Sequence, residues 1–400
     1  MNAAPEGNLT GSPIRPGGLT VTIQEIRLLP LSQSTPDGGW GAGYASEENL
    51  HTLLEVISDA GVTGLGSVFT SAGLVEGALG VLQPFLIGAS ALDPAAVSEN
   101  LHQQTFWQGR GGAITHAISG IDIALWDLFG KVTGQPISRL LGGRRRERIK
   151  AYGSLLMADP PEMRRRLEAG LQRGFRAFKI GWGPFGRRDA ATDEAIVATA
   201  REAVGPEVEL MVDAGGSDAF WPHGYKWALQ AARMLANYDV VWFEEPLRPD
   251  DLAGYLRLTE HSPVPIAAGE VLTRRQSFLP WIEARAVDYL QPDVTKVGGL
   301  TEERRITQAA DDHSILVVPH GWNTAVGLAA DLQLVAAANN ARWVEYITPS
   351  AYVEDLFETP PQLDEEGRLA IPAGPGLGCR WSAEGIARHT GGLRLTPETG

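Results

Sequence analysis

One cysteine, Cys379, in 400 residues excludes an internal disulfide and leaves too few thiolates for a zinc cluster. A reducing compartment, the cytoplasm, is therefore the expected home. No apolar run reaches the roughly 18 residues needed to cross a bilayer, so a membrane partner is not expected. Residues Met1 to Gly18 lack the basic start and apolar stretch of a secretory signal and are rich in Gly, Pro, Asn and Ser; they read as a flexible tail. Basic residues are outnumbered, with 34 Lys and Arg against 48 Asp and Glu and a formal net charge of -14. A nucleic-acid surface needs clustered cations to displace phosphate counterions, so that partner class is excluded. The one dense basic run, Arg144-Arg145-Arg146 with Arg148, reads as a solvated loop.

What the chain does have is apolar material: its 44% hydrophobic content supports one large core and a smaller one. From Leu19 to about Gly143 the pattern is mixed. Leu19-Thr20-Val21-Thr22-Ile23 alternates like a strand, Glu55-Val56-Ile57 suggests another, and Ile114 to Leu141 carries Ile118, Ile121, Ala124, Leu125 and Leu128 at helix spacing. Gly134-Gln135-Pro136 is a stop signal for that helix, and Leu141-Gly142-Gly143 a domain boundary. Residues 19–145 are thus expected to form an α+β domain.

Beyond Lys150 the rhythm changes. Short runs rich in Val, Ile and Phe recur at intervals of roughly 25 to 35 residues, separated by amphipathic stretches of helix length. They are Ala151 to Leu155, Ala177 to Ile180, Glu209 to Val212, Val240 to Phe243, Ile266 to Ala268, Val287 to Leu290, Ile315 to Val318 and Trp343 to Tyr346. Seven or eight parallel strands with helices between them, in roughly 200 residues, fit a closed α/β barrel of the TIM type better than an open sheet. The barrel is expected over residues 146–350, and the segment 351–400 is expected to pack back on the first domain.

Most of these runs end in an ionisable residue: Lys179, Asp213, Glu244, Glu270, Asp293, His320 and Glu345. One acidic residue after a strand is commonly a helix cap; a repeated pattern is not explained that way, because parallel strand ends converge on one mouth. Asp213, Glu244 and Glu270 would repel one another there unless an ion joins them, and hard oxygen ligands favour Mg²⁺, with Mn²⁺ as a substitute. A glycosidase with two metal-free carboxylates is the alternative, which three acids followed by an Asp and a His fit less well. Asp293 beside His320 makes a general base, since a carboxylate fixes the imidazole tautomer and raises its basicity. Glu345 on the next strand can hydrogen-bond an oxyanion if protonated. Trp322 and Asn323, just after His320, are candidate substrate contacts.

Together these residues resemble the enolase superfamily, and within it the mandelate racemase subgroup. The resemblance rests on Ile121-Asp122-Ile123-Ala124-Leu125-Trp126-Asp127 with Leu141-Gly142-Gly143, Val212-Asp213, Phe243-Glu244-Glu245-Pro246, Gly269-Glu270, Gln291-Pro292-Asp293-Val294 with Gly298-Gly299, and Pro319-His320-Gly321. It implies a capping domain, completed by the C-terminal segment, over a modified barrel. It also implies Mg²⁺ on Asp213, Glu244 and Glu270, a base dyad of Asp293 and His320, a non-ligand Glu245, and a homo-oligomer, dimer or octamer. Two departures stand out. Family members often carry two lysines one residue apart where this chain reads Lys179-Ile180-Gly181, and often an Asn where it has Gly215.

Direct racemisation needs acid–base groups on both faces of the reacting carbon, and Gly181 offers none. Elimination of a β-hydroxyl needs only one base, because protonated His320 can return its proton to the departing hydroxide. The expectation is a dehydratase of a hydroxy carboxylate, an acid sugar, with Lys179 on the substrate carboxylate and Glu345 supporting the enediolate oxygen. The loop Trp182-Gly183-Pro184-Phe185-Gly186 also resembles that of rhamnonate-type dehydratases. A racemase or epimerase using Lys179 as second base, and a non-catalytic metal-binding descendant, are the alternatives. Trp40 and Phe69, and the loops Pro30 to Ala45 and Thr70 to Gly77, are candidates to close the mouth.

Overall fold

The computed structural model describes residues 20–31, 50–215 and 224–390. The N-terminal part holds strands β1 (Ile23–Pro30), β2 (Thr52–Ser58) and β3 (Thr63–Val68), then helices α1 (Ala72–Leu82), α2 (Pro94–Thr105), α3 (Gly112–Thr133) and α4 (Ile137–Leu140). The three strands form an antiparallel sheet in the order β1-β2-β3. The first strand lies further along the chain than Leu19 to Ile23: Thr22 makes only an isolated bridge to Ser90, and the ladder with β2 runs on to Pro30. Ile26, Leu28 and Leu29 supply the buried side chains that hold it there.

Helix α3 is apolar almost all round and is buried over most of its length. It ends where Gly134 takes a left-handed φ of 66° and Pro136 blocks continuation, as the sequence predicts. Its seat on β3 is built from small residues: a Cβ on Gly64 would lie 1.9 Å from the Ala124 carbonyl oxygen, and one on Gly66 1.9 Å from that of Gly120. Strand and helix backbones therefore meet directly.

The second part alternates strand and helix: β4 (Arg148–Leu156), α5 (Pro160–Gln172), β5 (Ala177–Gly181), α6 (Ala190–Val204), β6 (Glu209–Asp213), α7 (Tyr225–Leu235), β7 (Val240–Glu244), α8 (Leu252–His261), β8 (Ile266–Ala268), α9 (Arg274–Ala284), β9 (Tyr289–Leu290), α10 (Gly299–Asp312), β10 (Leu316–Val317), α11 (Ala325–Ala337) and β11 (Trp343–Ile347). Parallel pairing runs β10-β9-β8-β7-β6-β5-β4-β11, and a Val317 to Ala341 bridge brings the ends of the row together. This is the expected TIM-like barrel. Strands buried on both faces explain the unbroken apolar runs. Inside, Trp242 packs on Tyr152, Tyr289 and Trp343 at ring separations of 5.3 to 5.6 Å, filling the barrel below the mouth.

The C-terminal segment holds α12 (Ala351–Glu354), β12 (Arg368–Ala370) and α13 (Ala383–His389). It divides its contacts instead of joining the first domain alone: β12 pairs antiparallel with barrel strand β4, while Gly376 bridges Pro136 and the Leu377 amide donates to Asp127 of α3 at 2.9 Å. Among the described residues no helix is long and apolar enough to cross a membrane.

Candidate active site

Strand register brings the first two carboxylates level. Gly181 pairs with Asp213, and Asp213 with Glu244, so these three positions close one rim of the mouth; Glu270 follows β8 by two residues. Lys179 sits one pleat deeper than the rim, not level with it, because side chains two apart on a strand share a face. Glu345 likewise lies mid-strand on β11, opposite Tyr152 of β4.

One oxygen from each of Asp213, Glu244 and Glu270 lies within 4.8 Å of the others, and all three residues are buried. Burial and the neighbouring Glu244 push the Asp213 carboxyl well above its usual range, and burial raises that of Glu244 against the opposing charge of Lys179. Three converging hard donors whose repulsion one lysine leaves partly unrelieved fit a divalent cation. Their orientation is fixed from behind. Glu244 accepts from Trp242 Nε1 at 2.8 Å and from Gln291 Nε2 at 2.7 Å; Asp213 accepts from the Gly215 amide at 2.7 Å and from Trp182 Nε1 at 3.1 Å. Glu245, beside the trio in sequence, has a left-handed φ of 43° and is not one of the three converging donors.

Lys179 Nζ is 2.6 Å from Glu244 Oε1 and 3.0 Å from Glu345 Oε1. Burial works against its charge, but these two carboxylates outweigh burial and raise its pKa well above the usual value. Burial also opposes ionisation of Glu345, yet Lys179, His320 and the Gly321 amide at 2.7 Å bring its pKa down to about 2. Glu345 is therefore an anion here and lacks the proton needed to donate to an oxyanion. Lys179, held against it, carries the proton instead.

His320 Nδ1 is 2.7 Å from Asp293 Oδ2, and Nε2 is 3.1 Å from Glu270 Oε2, so the imidazole bridges the dyad and the carboxylate trio. Burial opposes its protonation, but Glu270 and Asp293 more than compensate and its pKa is raised. Asp293 is held as an anion despite burial by Lys296, whose Nζ is 3.6 Å away, by His320, and by Thr295, whose amide and hydroxyl both donate to Oδ1. Lys296 was not among the residues singled out from the sequence. It lies in the turn after β9, three residues past Asp293, with its ammonium 4.0 Å over the Phe69 ring. Only the Asp293-Val294-Thr295-Lys296 spacing hinted at it.

A cavity at the mouth is lined by Lys179, Gly181, Trp182, Asp213, Glu270, His320, Trp322 and the cap residue Phe69. Asn323 is not on this wall; it is buried, with its amide against Gly327 of α11. Thr70 to Gly77 is no loose loop, since α1 begins at Ala72 and the Thr70 carbonyl accepts from Thr52 Oγ1 at 2.9 Å. Trp40 and the loop beyond Leu31 lie outside the described residues. The cap adds two residues that the sequence alone did not flag. His51 Nε2 donates to the Trp322 carbonyl at 3.0 Å, and His116 Nδ1 to that of Phe69 at 2.8 Å.

Residues 41–142 match the mandelate racemase / muconate lactonizing enzyme N-terminal domain, and residues 162–385 the enolase C-terminal domain-like family. The chain belongs to the enolase superfamily, in its mandelate racemase-like branch. Among relatives in that branch, D-galactarolactone cycloisomerase of Agrobacterium fabrum is 34% identical over 90% of this chain and 96% of its own length. D-xylonate dehydratase of Haloferax volcanii is 31% identical over 84% of each, and L-rhamnonate dehydratase of Saccharopolyspora erythraea 32% identical over 83% of each. The crystal structure of 3,6-anhydro-D-galactonate cycloisomerase from Zobellia galactanivorans superposes with a TM-score of 0.82 at 28% identity, covering 92% of this chain and 99% of that one.

Proposed function

We propose that this enolase-superfamily member is a Mg²⁺-dependent dehydratase of an acid sugar, removing the proton beside the carboxylate and expelling the β-hydroxyl to give a 2-keto-3-deoxy acid. Asp213, Glu244 and Glu270 would hold the cation, with Mn²⁺ a workable substitute. When bound, it supplies concentrated positive charge for a carbon acid that is otherwise too weak to ionise. His320 takes the α-proton at Nε2, while its Nδ1 hydrogen bond to Asp293 fixes the tautomer and stabilises the imidazolium. That same proton then leaves with the β-hydroxyl as water, so no second acid is required. Lys179 donates to the substrate carboxylate, and Glu345 keeps Lys179 charged and in place.

The observation that carries this reading is the asymmetry of the cavity. His320 stands on one side, and the β5 side presents Gly181 and an indole where a second base would have to be. Lys179, locked as a cation between Glu244 and Glu345, is a poor base, which disfavours the racemase or epimerase alternative. A second cavity adjoining the first through Ser154, Leu155, Leu156 and Trp322 carries Arg166 and Arg173, suited to a polyhydroxylated tail.

Cycloisomerisation is the second reading, favoured by the name of the 34% identical relative. It uses the same dyad, with a departing oxygen that stays tethered to the substrate. Product mass separates the two: one water is lost in dehydration, none in isomerisation. Screening an acid-sugar library with the parent and His320→Asn tests the dyad, with a loss of about 10²–10⁴-fold in 2-keto acid formation expected. Equal turnover by both proteins would remove His320 from the mechanism. Exchange of the α-proton in D₂O with inversion and no keto acid would favour the racemase.

A further inference from the structure

The two departures from the family pattern, Gly181 at the end of β5 and Gly215 two residues past β6, lie beside the Asp213 carboxylate and the Trp182 indole. Trp182 follows β5 with a left-handed φ of 63°, a conformation that few residues other than glycine adopt. That turn swings its indole over the strand end, where Nε1 donates to Asp213 Oδ2 at 3.1 Å. A Cβ at position 215 would lie 2.3 Å from that same Nε1, so no side chain fits there while the indole is in place. A Cβ at position 181 would lie 2.7 Å from Asp213 Cβ and 3.0 Å from its Oδ2. The loop is anchored at several points: the Trp182 amide donates to the Asp213 carbonyl at 3.2 Å, a Cβ on Gly183 would collide with the Met157 carbonyl, and Phe185 is buried against Trp227 and Phe243.

We infer that Trp182 is a positioning residue for the metal ligand Asp213, its indole N–H orienting the carboxylate and its ring occupying the space that a side chain at position 215 would need. The inference rests on the carboxylate trio as the metal site, but not on which reaction follows. An ionised carboxylate has about four lone-pair sites. Hydrogen bonds from the Gly215 amide to Oδ1 and from Trp182 to Oδ2 use two of them and pin the plane of the group, leaving the remainder for an ion. The same indole walls the cavity on the β5 side. In the ring of eight strands β5 is three strands from β10 by one route and five by the other, so Trp182 faces His320 across the mouth.

Binding of Mn²⁺ to the full-length protein, read from the electron paramagnetic resonance of the free ion, tests this without turnover. Removing a donor that orients a metal ligand costs roughly 10–100-fold in affinity. Trp182→Phe, which keeps the ring and deletes the N–H, is expected to bind Mn²⁺ at least about tenfold more weakly while melting like the parent in EDTA. Gly215→Asn is expected to weaken binding as well, because it displaces the indole. The pair Trp182→Ala with Gly215→Asn is expected to bind no worse than Trp182→Ala alone, since the collision partner is gone. Parent-like affinity in Trp182→Phe, or fully additive losses in the double variant, would overturn the role of Trp182 and leave the dehydratase reading standing. A parent protein that binds no Mn²⁺ would overturn both.

Discussion

At the scale of single residues, the site is a problem in charge compensation. Lys179 is the buried cation that makes Glu244 and Glu345 tolerable, at 2.6 and 3.0 Å. Deleting one partner of a buried pair leaves the other uncompensated, at a cost of about 3–5 kcal/mol. Lys179→Met is therefore expected to unfold at lower urea than the parent in EDTA, and to recover part of the difference when Mg²⁺ is added; urea melts with and without the ion measure both. The carboxylate trio and the His320–Asp293 pair were legible in the sequence because each closes an apolar run, and a barrel turns that one-dimensional regularity into a shared mouth. In the sequence Trp182 stands out only as part of a loop. Its part depends on a positive φ at a non-glycine residue, which no hydrophobic pattern encodes. Lys296 was missed for a related reason: it sits in a turn, not at a strand end. The ionised state of Glu345 follows from Lys179 lying one pleat deep rather than at the rim, a detail of register that spacing alone does not fix.

Among elements, the tightest joint is between β3 and α3. Gly64 and Gly66 on the strand face Ala124 and Gly120 on the helix, and a Cβ on Gly120 would lie 2.4 Å from Val68 Cγ2. No side chain separates the two backbones, so added atoms have nowhere to go. Gly64→Ala and Gly120→Ala are each expected to destabilise by about 1–3 kcal/mol, the usual cost of overpacking, as measured by chemical denaturation. A third substitution, Gly61→Ala, meets open space but sits at a φ of 73°, so it separates backbone strain from collision. The barrel strands were readable from composition almost residue by residue, since burial on both faces demands continuous Val, Ile and Phe. The cap strand β1 was placed too early because Leu19, Val21 and Ile23 alternate as well as a true strand does. What selects Ile23–Pro30 is its partner β2, distant in sequence.

For the whole molecule, one neutral histidine, His51, joins cap to barrel through the Trp322 carbonyl, and a second, His116, holds the cap residue Phe69 above the dyad. Burial lowers the pKa of His51 to about 4, with the Trp322 carbonyl partly opposing, and burial together with Lys296 lowers that of His116 to about 4 as well. Unfolded, both would titrate near 6.5. Between those values the unfolded chain binds protons that the folded one refuses, so stability rises with pH across the window and is lost as pH falls from 6.5 toward 4. His116→Gln is expected to flatten that slope in melts recorded over the same range. Metal should act on the whole fold too: a free Mg²⁺ concentration a hundredfold above its dissociation constant adds about 2.7 kcal/mol, which EDTA removes, and a melting temperature indifferent to both would argue against the trio as a cation site.

Asp127 joins parts of the chain that are made at very different times. Its two carboxylate oxygens receive the Leu65 amide of β3 and the Leu377 amide of the C-terminal segment, and Lys131 closes the cluster at 2.7 Å. Gly376 lies against the same residue so closely that a Cβ there would come within 2.1 Å of Asp127 Oδ1. During synthesis the N-terminal sheet and its helix leave the ribosome first, but one acceptor at their centre waits for an amide more than three hundred residues downstream of Leu65. The cap cannot reach its final form until Leu377 has been made, so the barrel is assembled beneath a lid whose last stitch is tied from beyond the barrel's own final strand.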